Sequence, residues 1–295
     1  MTARLPKASR LIVTADDFGM SLEVNEAVEE AHRNGILTCA SLVVAGDAAE
    51  DAIGRAKRMP DLGVGLHLAI FGARASAHGR SVVAPDGENL GYSPVLAGSA
   101  IMVTPGGRRA ARREIAAQFE AYRKTGLELG HLDGHWHCHQ HPSVLALALE
   151  YGVPLGLKAL RVPYEPFGFS RRVAGPVLAR RGKTGARLSH AVFGLPLTSV
   201  MRLQARAAGV AVNDTFFGKT DDGFISEELL LSLLANLPKG ATELGLHPAT
   251  ETWGGEHCPP AHWQQADELA ALTSPRVRSE VERRGISLIR WADLA

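Results

Sequence analysis

The 295-residue sequence predicts an irregular, single-domain (β/α) barrel, TIM-barrel-like and of about seven strands. Short apolar runs alternate with amphipathic stretches, which implies parallel strands joined by right-handed crossovers. Ionisable residues mark five of those runs: Asp16 and Asp17 after the first, His67 in the third, Asp133 with His135 after the fourth, Arg161 in the next, and His247 after another. Barrels of this class gather functional groups at the C-terminal ends of their strands. A dinucleotide-binding fold would place a glycine-rich phosphate loop after the first strand, and none stands there.

Each element has a local reason. Leu11–Ala15 reads as a strand, β-branched residues and leucine ended by charge. Ser21 can cap a helix over Leu22–Arg33, with Val24, Ala27, Val28 and Ala31 on one face and Gly35 as its stop. Thr38–Val44 is the next strand, Ala48–Arg58 the next helix before Pro60, and Val64–Leu68 the third strand. Arg109–Thr125 is an amphipathic helix that aligns Ile115, Phe119 and Tyr122. Leu129–Leu132, Ala159–Val162, Glu243–Leu246 and Ile286–Ile289 complete the strands, with helices expected at Ser143–Tyr151, Ser226–Leu237 and Trp263–Arg284. Two connections, residues 69–108 and 163–225, are too long for plain loops and read as insertions that roof the site.

Composition narrows the class. Apolar residues at 45% and charged residues at 21% exclude disorder and collagen-like structure. Cys39, Cys138 and Cys258 are odd in number and far apart, so reduced thiols in a cytoplasmic setting fit better than a disulfide framework. Behind the basic stretch at the N-terminus only Leu11, Ile12 and Val13 precede Asp16, whereas a signal peptide needs about 7–15 apolar residues. No run approaches the roughly 20 apolar residues of a spanning helix.

Four motifs carry the chemistry. In Ala15-Asp16-Asp17-Phe18-Gly19, adjacent carboxylates occupy a strand-to-helix turn. They either cap a helix or divide between a metal ion and a nearby water. Gly65-Leu66-His67-Leu68 sets one histidine in an apolar run, as a core residue or as a ligand. The tract from His131 to His141 holds five of the twelve histidines, together with Asp133, and lacks paired cysteines. Mixed Asp/His donors fit a catalytic metal site better than a structural one. Asp133, His137 and His139 are further candidates within that tract. His247-Pro248 repeats the strand-then-histidine arrangement, as a ligand, a general acid or a buried structural residue.

In that order, the four motifs resemble the YdjC-like carbohydrate deacetylases over nearly the whole chain. The resemblance implies Asp17, His67 and His135 as metal ligands, Asp16 as general base, His247 on the leaving-group side and Arg161 at the site edge. It also implies one divalent ion, Mg²⁺, although two imidazoles and a carboxylate favour Zn²⁺ or a similar ion. Gly134 stands where the family usually has Ser, and Ala249 where it often has Gly; both bear on substrate fit. Val43-Val44-Ala45-Gly46, Arg161-Val162-Pro163-Tyr164-Glu165-Pro166, Asn213-Asp214-Thr215-Phe216-Phe217-Gly218 and His247-Pro248-Ala249-Thr250 further resemble the hopanoid-biosynthesis branch. That branch implies an N-acetylglucosaminyl hopanoid as the amino-sugar substrate.

Other readings are a deacetylase of soluble chitooligosaccharides, a single-metal amidohydrolase or phosphoesterase, and a non-catalytic carbohydrate- or lipid-binding barrel. A mere binder has no use for Asp16 beside a ligand. One further stretch stands out. From Pro166 to Asn213 there is no acidic residue, while Arg171, Arg172, Arg180, Arg181, Lys183, Arg187, Arg202 and Arg206 add +8 in a chain of net charge +1. Interleaved apolar residues make it either a lid or a contact with the cytoplasmic face of an anionic membrane. Between Arg171 and Arg206 Phe193 is the one aromatic, so no nucleic-acid partner is expected.

Overall fold

β1 (Ser9–Phe18) lies at the centre of a wholly parallel sheet with β2 (Cys39–Leu42), β3 (Gly63–Leu68), β4 (Leu132–Gly134), β5 (Ala159–Leu160), β6 (Ala211–Val212), β7 (Thr215–Phe217) and β8 (Gly240–Leu246). The computed structural model describes residues 9–294 apart from 78, 80–82, 92 and 178–182. The strand order is β6-β5-β4-β3-β2-β1-β8-β7, and a short β9 (Ser287–Leu288) pairs with Arg10 and Leu11 at the start of β1. β6 and β7 end that order on opposite sides, yet only Asn213 and Asp214 separate them in the chain. The sheet therefore curls until its ends meet.

Residues 211–217 thus form one kinked stave, paired to β5 through its first half and to β8 through its second. Asn213, fully buried, bridges the kink. Its Oδ1 accepts from the Val162 N–H at 2.7 Å, and its Nδ2 donates to the carbonyls of Val162 and Thr215 at 3.0 Å each. These bonds replace the ladder bonds that the kink removes. The barrel of about seven staves is present, with one change of membership. Ile286–Ile289 contributes only the exposed β9, whereas the 211–217 stave lies inside the stretch read as a lid.

Along β1 alternate side chains take opposite sides, as the period of 2 requires. Leu11, Val13 and Ala15 join the main core. Ile12 meets Cys39, Ala159 and Trp291 inside the barrel, and Thr14 accepts from the Trp291 indole at 3.2 Å. Next on that inward face is Asp16, so the barrel interior runs from apolar at one end to charged at the other.

Other differences from expectation are local. β1 continues to Phe18 instead of ending at Ala15, with an irregular register between those residues. The helix expected over Trp263–Arg284 is two, Gln265–Thr273 and Pro275–Arg284, because Pro275 has no N–H to donate and the Ser274 hydroxyl caps the second. The first long connection contains a helix at Pro94–Val103, and the second contains helices at Phe167–Ala174 and Thr184–Ala207. No helix among the described residues is long and apolar enough to cross a membrane.

Candidate active site

Asp17 adopts a left-handed backbone, φ 62°, at the bulge that ends β1. Asp tolerates that region better than most residues. The turn aims the Asp16 and Asp17 carboxylates at different partners. Asp17 Oδ1 lies 3.0 Å from His135 Nδ1 and 3.5 Å from His67 Nε2. Candidate ligand atoms of Asp17, His67 and His135 all fall within 4.8 Å of one another. Burial alone would raise the Asp17 carboxyl, but His135, with His247 and His67 behind it, holds it well below the usual carboxylate range.

The histidines are oriented from behind. His67 Nδ1 lies 2.8 Å from Asp133 Oδ1, which fixes the ring so that Nε2 is the nitrogen turned toward Asp17. That Nε2 is buried and has no hydrogen-bond partner. A buried, unpaired imidazole nitrogen aimed at a carboxylate is the arrangement a divalent ion would complete. Asp16, His67 and Asp133 form a second cluster of ligand-type residues. It is the poorer choice, because both Asp16 oxygens accept from Arg161 and both Asp133 oxygens are engaged. His135 is presented by β4 and the turn after it, where Trp136 and His137 are also left-handed, φ 49° and 55°. Two such residues in a row cost on the order of 1–3 kcal/mol each. They send consecutive side chains toward Asp17 and His67, solvent and the cleft wall.

Arg161 does not sit at an edge. It is fully buried beneath Asp16 and donates to both carboxylate oxygens at 2.6 and 2.7 Å. The same guanidinium meets Glu243 Oε1 at 2.7 Å and Asp133 Oδ2 at 2.9 Å. Burial pushes the Glu243 carboxyl up to about 7 against the pull of Arg161. His139 gives its Nε2 to the Arg161 carbonyl at 3.0 Å, and His137 packs edge-on against Phe216. Neither joins the ligand group.

His247 stands across the cleft, Nε2 3.9 Å from Asp16 Oδ2 and 4.0 Å from Asp17 Oδ2. Its Nδ1 faces Asp222 at 2.9 Å. Burial disfavours the imidazolium, yet Asp222, then Asp17 and Asp16, raises it well above the ordinary imidazole range. Its backbone N–H donates to buried Glu268 at 2.6 Å. A cleft of about 210 Å³ opens here between Asp16, His247, Trp136, Phe216, Lys219 and Trp263. A larger cavity of about 530 Å³ lies at the far end of the barrel, beside Lys57, Gly63, Glu128 and Arg290, away from the carboxylate pair.

Asp222, Glu243 and Ser41 were not anticipated from the sequence. Ser41, whose hydroxyl donates to Asp133 at 2.6 Å, and Glu243 occupy inward positions of β2 and β8. The alternation that places His247 also places Glu243 four residues before it. Asp222 follows Asp221 in a second adjacent carboxylate pair, in the stretch read as a lid.

Known proteins bear on this constellation. A "Carbohydrate deacetylase" of Geobacillus stearothermophilus is 30% identical over 287 residues, covering 96% of each chain. One of Brevibacillus brevis is 40% identical over 151 residues, half of this chain and 58% of that one. Among solved structures, an Enterococcus faecalis V583 protein provisionally described as a cellobiose-phosphate cleavage protein superimposes with a TM-score of 0.68. It is 23% identical and covers 98% of this chain and 99% of that one, a likeness of fold. Residues 10–283 match the model of the YdjC-like proteins, and the chain belongs to that family.

Proposed function

We propose that this protein is a divalent-metal-dependent hydrolase that removes the acetyl group from an N-acetylglucosamine-type sugar. The observation that carries it is the divided carboxylate pair: Asp17 faces two histidines, while Asp16, clamped by Arg161, faces His247 across the cleft. The relatives called carbohydrate deacetylases supply the substrate class.

Asp17, His67 through Nε2 and His135 through Nδ1 would hold the ion, and this donor set favours Zn²⁺ or a similar ion over Mg²⁺. When bound, a divalent ion polarises the acetamide carbonyl and lowers the pKa of water from about 15.7 to about 7. Asp16 takes the proton from the attacking water, its orientation fixed by the bidentate Arg161 contact. His247, kept as imidazolium by Asp222, delivers a proton to the nitrogen as the C–N bond breaks. Acetate and a free amine leave. Trp136, Phe216 and Trp263 give the cleft apolar faces for a sugar ring, and its volume suits about one ring.

The finer substrate, an N-acetylglucosaminyl hopanoid handled at the cytoplasmic face of a membrane, rests on the four stretches that resemble the hopanoid branch. On this reading the chain is one domain, with residues 69–108 and 163–225 as insertions around the mouth. Asp16→Asn is the direct test. The variant should keep its fold and bound metal yet lose on the order of 10²–10⁴-fold in kcat, since an amide accepts no proton. Turnover near the wild-type rate would reduce Asp16 to a structural residue.

A further inference from the structure

The Thr184–Ala207 helix is amphipathic in the reverse sense. Its buried positions are Arg187, Ala191, Gly194, Thr198, Met201 and Ala205, while Leu188, Val192, Phe193, Leu195, Val200 and Leu203 face solvent, Phe193 and Leu203 at 74% and 69% exposure. The Pro94–Val103 helix repeats this, with Val95 and Leu96 at 74% and 72% and with Met102 and Val103 exposed. Both back onto the turn that leaves the catalytic segment. A Cβ at Gly98 would lie 3.8 Å from the His141 ring, and Gln204 Nε2 donates to the Pro142 carbonyl at 3.2 Å. Trp136, 59% exposed, projects from the same segment and lines the cleft. These exposed apolar faces form a rim on the two helices that back onto the segment carrying the site. Exposed apolar surface of this kind marks an interaction face.

Charge identifies the occupant. Residues 90–113 and 166–213, the two stretches that carry these helices, hold twelve of the 32 basic residues and none of the 31 acidic ones. Arg171, Arg172 and Arg206 are exposed, and Arg109 and Arg113 follow the shorter helix. Arg112 pairs with Glu150 and Arg187 is buried on Asp221, but apolar side chains fringed by the other exposed arginines, on stretches without a carboxylate of their own, suit an anionic lipid headgroup layer over acyl chains. A second copy docking by a two-fold axis would set these arginine-bearing stretches against themselves.

We propose that this rim docks on an anionic lipid bilayer and turns the cleft toward lipid-borne sugar. The docking stands on the surface itself, and the lipid-borne substrate rests on the deacetylase reading. Sedimentation of the full chain with vesicles of phosphatidylcholine, alone or mixed with phosphatidylglycerol, tests it. Binding should require phosphatidylglycerol and weaken on the order of tenfold between about 0.05 and about 0.5 M salt. Val192→Glu/Phe193→Glu/Leu203→Glu, at exposed sites, should melt like wild type and lose binding on the order of tenfold or more. Equal partition onto both vesicle types, none onto either, or undiminished binding by the variant overturns the proposal. So does a wild-type dimer that the triple variant dissolves without any vesicle binding, which would assign the rim to a second copy. Acetate release from a soluble N-acetyl sugar separates the two readings. A variant that releases acetate normally but no longer sediments supports docking, and a wild type that sediments but releases none from either this sugar or a lipid-linked one overturns the hydrolase reading alone.

Discussion

Asp16 and Asp17 are adjacent, yet a left-handed turn sends one to Arg161 and the other to two histidines. The residue types were legible, and so was their grouping at strand ends. The Arg161 floor was not, because a lone arginine in an apolar run does not show that Asp16, Asp133 and Glu243 converge on it. The ligand assignment predicts that His67→Ala, measured by elemental analysis, loses the stoichiometric ion. Full metal content would move the site elsewhere in the histidine tract. His131 supplies a pH prediction. Its ring is buried against Trp291, leaves no room for a Cβ at Gly65, and is held down to about 4 from 6.5, chiefly by burial. Below pH 6.5 the unfolded chain binds a proton that the folded chain refuses. Stability contributed by neutral His131 is thus full above that pH and lost as pH falls toward about 4, by on the order of 1–3 kcal/mol. His139, also held near 4, adds to the same window. His131→Asn should flatten the fall of the denaturation midpoint across that range, and an unchanged slope would contradict this assignment.

At the scale of elements, regular periodicity was readable and its exceptions were not. The helix at Leu22–Asn34 lies within a residue of its expected bounds because Ser21 caps it and its apolar stripe faces the core. The Thr184–Ala207 helix inverts that rule, and its basic residues are not all at the surface. Arg187 lies inside, donating to both Asp221 oxygens at 2.6 and 2.7 Å and to Ser170 at 2.6 Å. Arg180 and Arg181 lie outside the described residues. Arg187→Met leaves Asp221 and Glu165 buried without their cation and should cost about 3–5 kcal/mol in chemical denaturation. A loss below about 1 kcal/mol would show that the cluster does not tie the helix down. Asn213→Ala removes three buried hydrogen bonds at the kinked stave and should cost about 2–4 kcal/mol, read the same way.

For the molecule as a whole, alternating strands and helices with ionisable strand ends sufficed to anticipate a barrel and the end at which its buried Asp and His side chains gather. Closure was hidden, because two short strands joined through Asn213-Asp214 carry too few residues for a period-2 signal. The same concealment removed Asp222, which belongs to the connection after that stave. Metal-dependent amide hydrolysis at the barrel mouth is the central claim. Its most direct test strips the protein with a chelator, reloads it with Zn²⁺ or Mg²⁺, and measures bound ion and released acetate on one preparation, with soluble and lipid-linked N-acetylglucosaminyl substrates. Acetate release should return in proportion to bound ion and level off at about one ion per chain. Full release by the stripped protein, or none from either substrate with the site loaded, would contradict it.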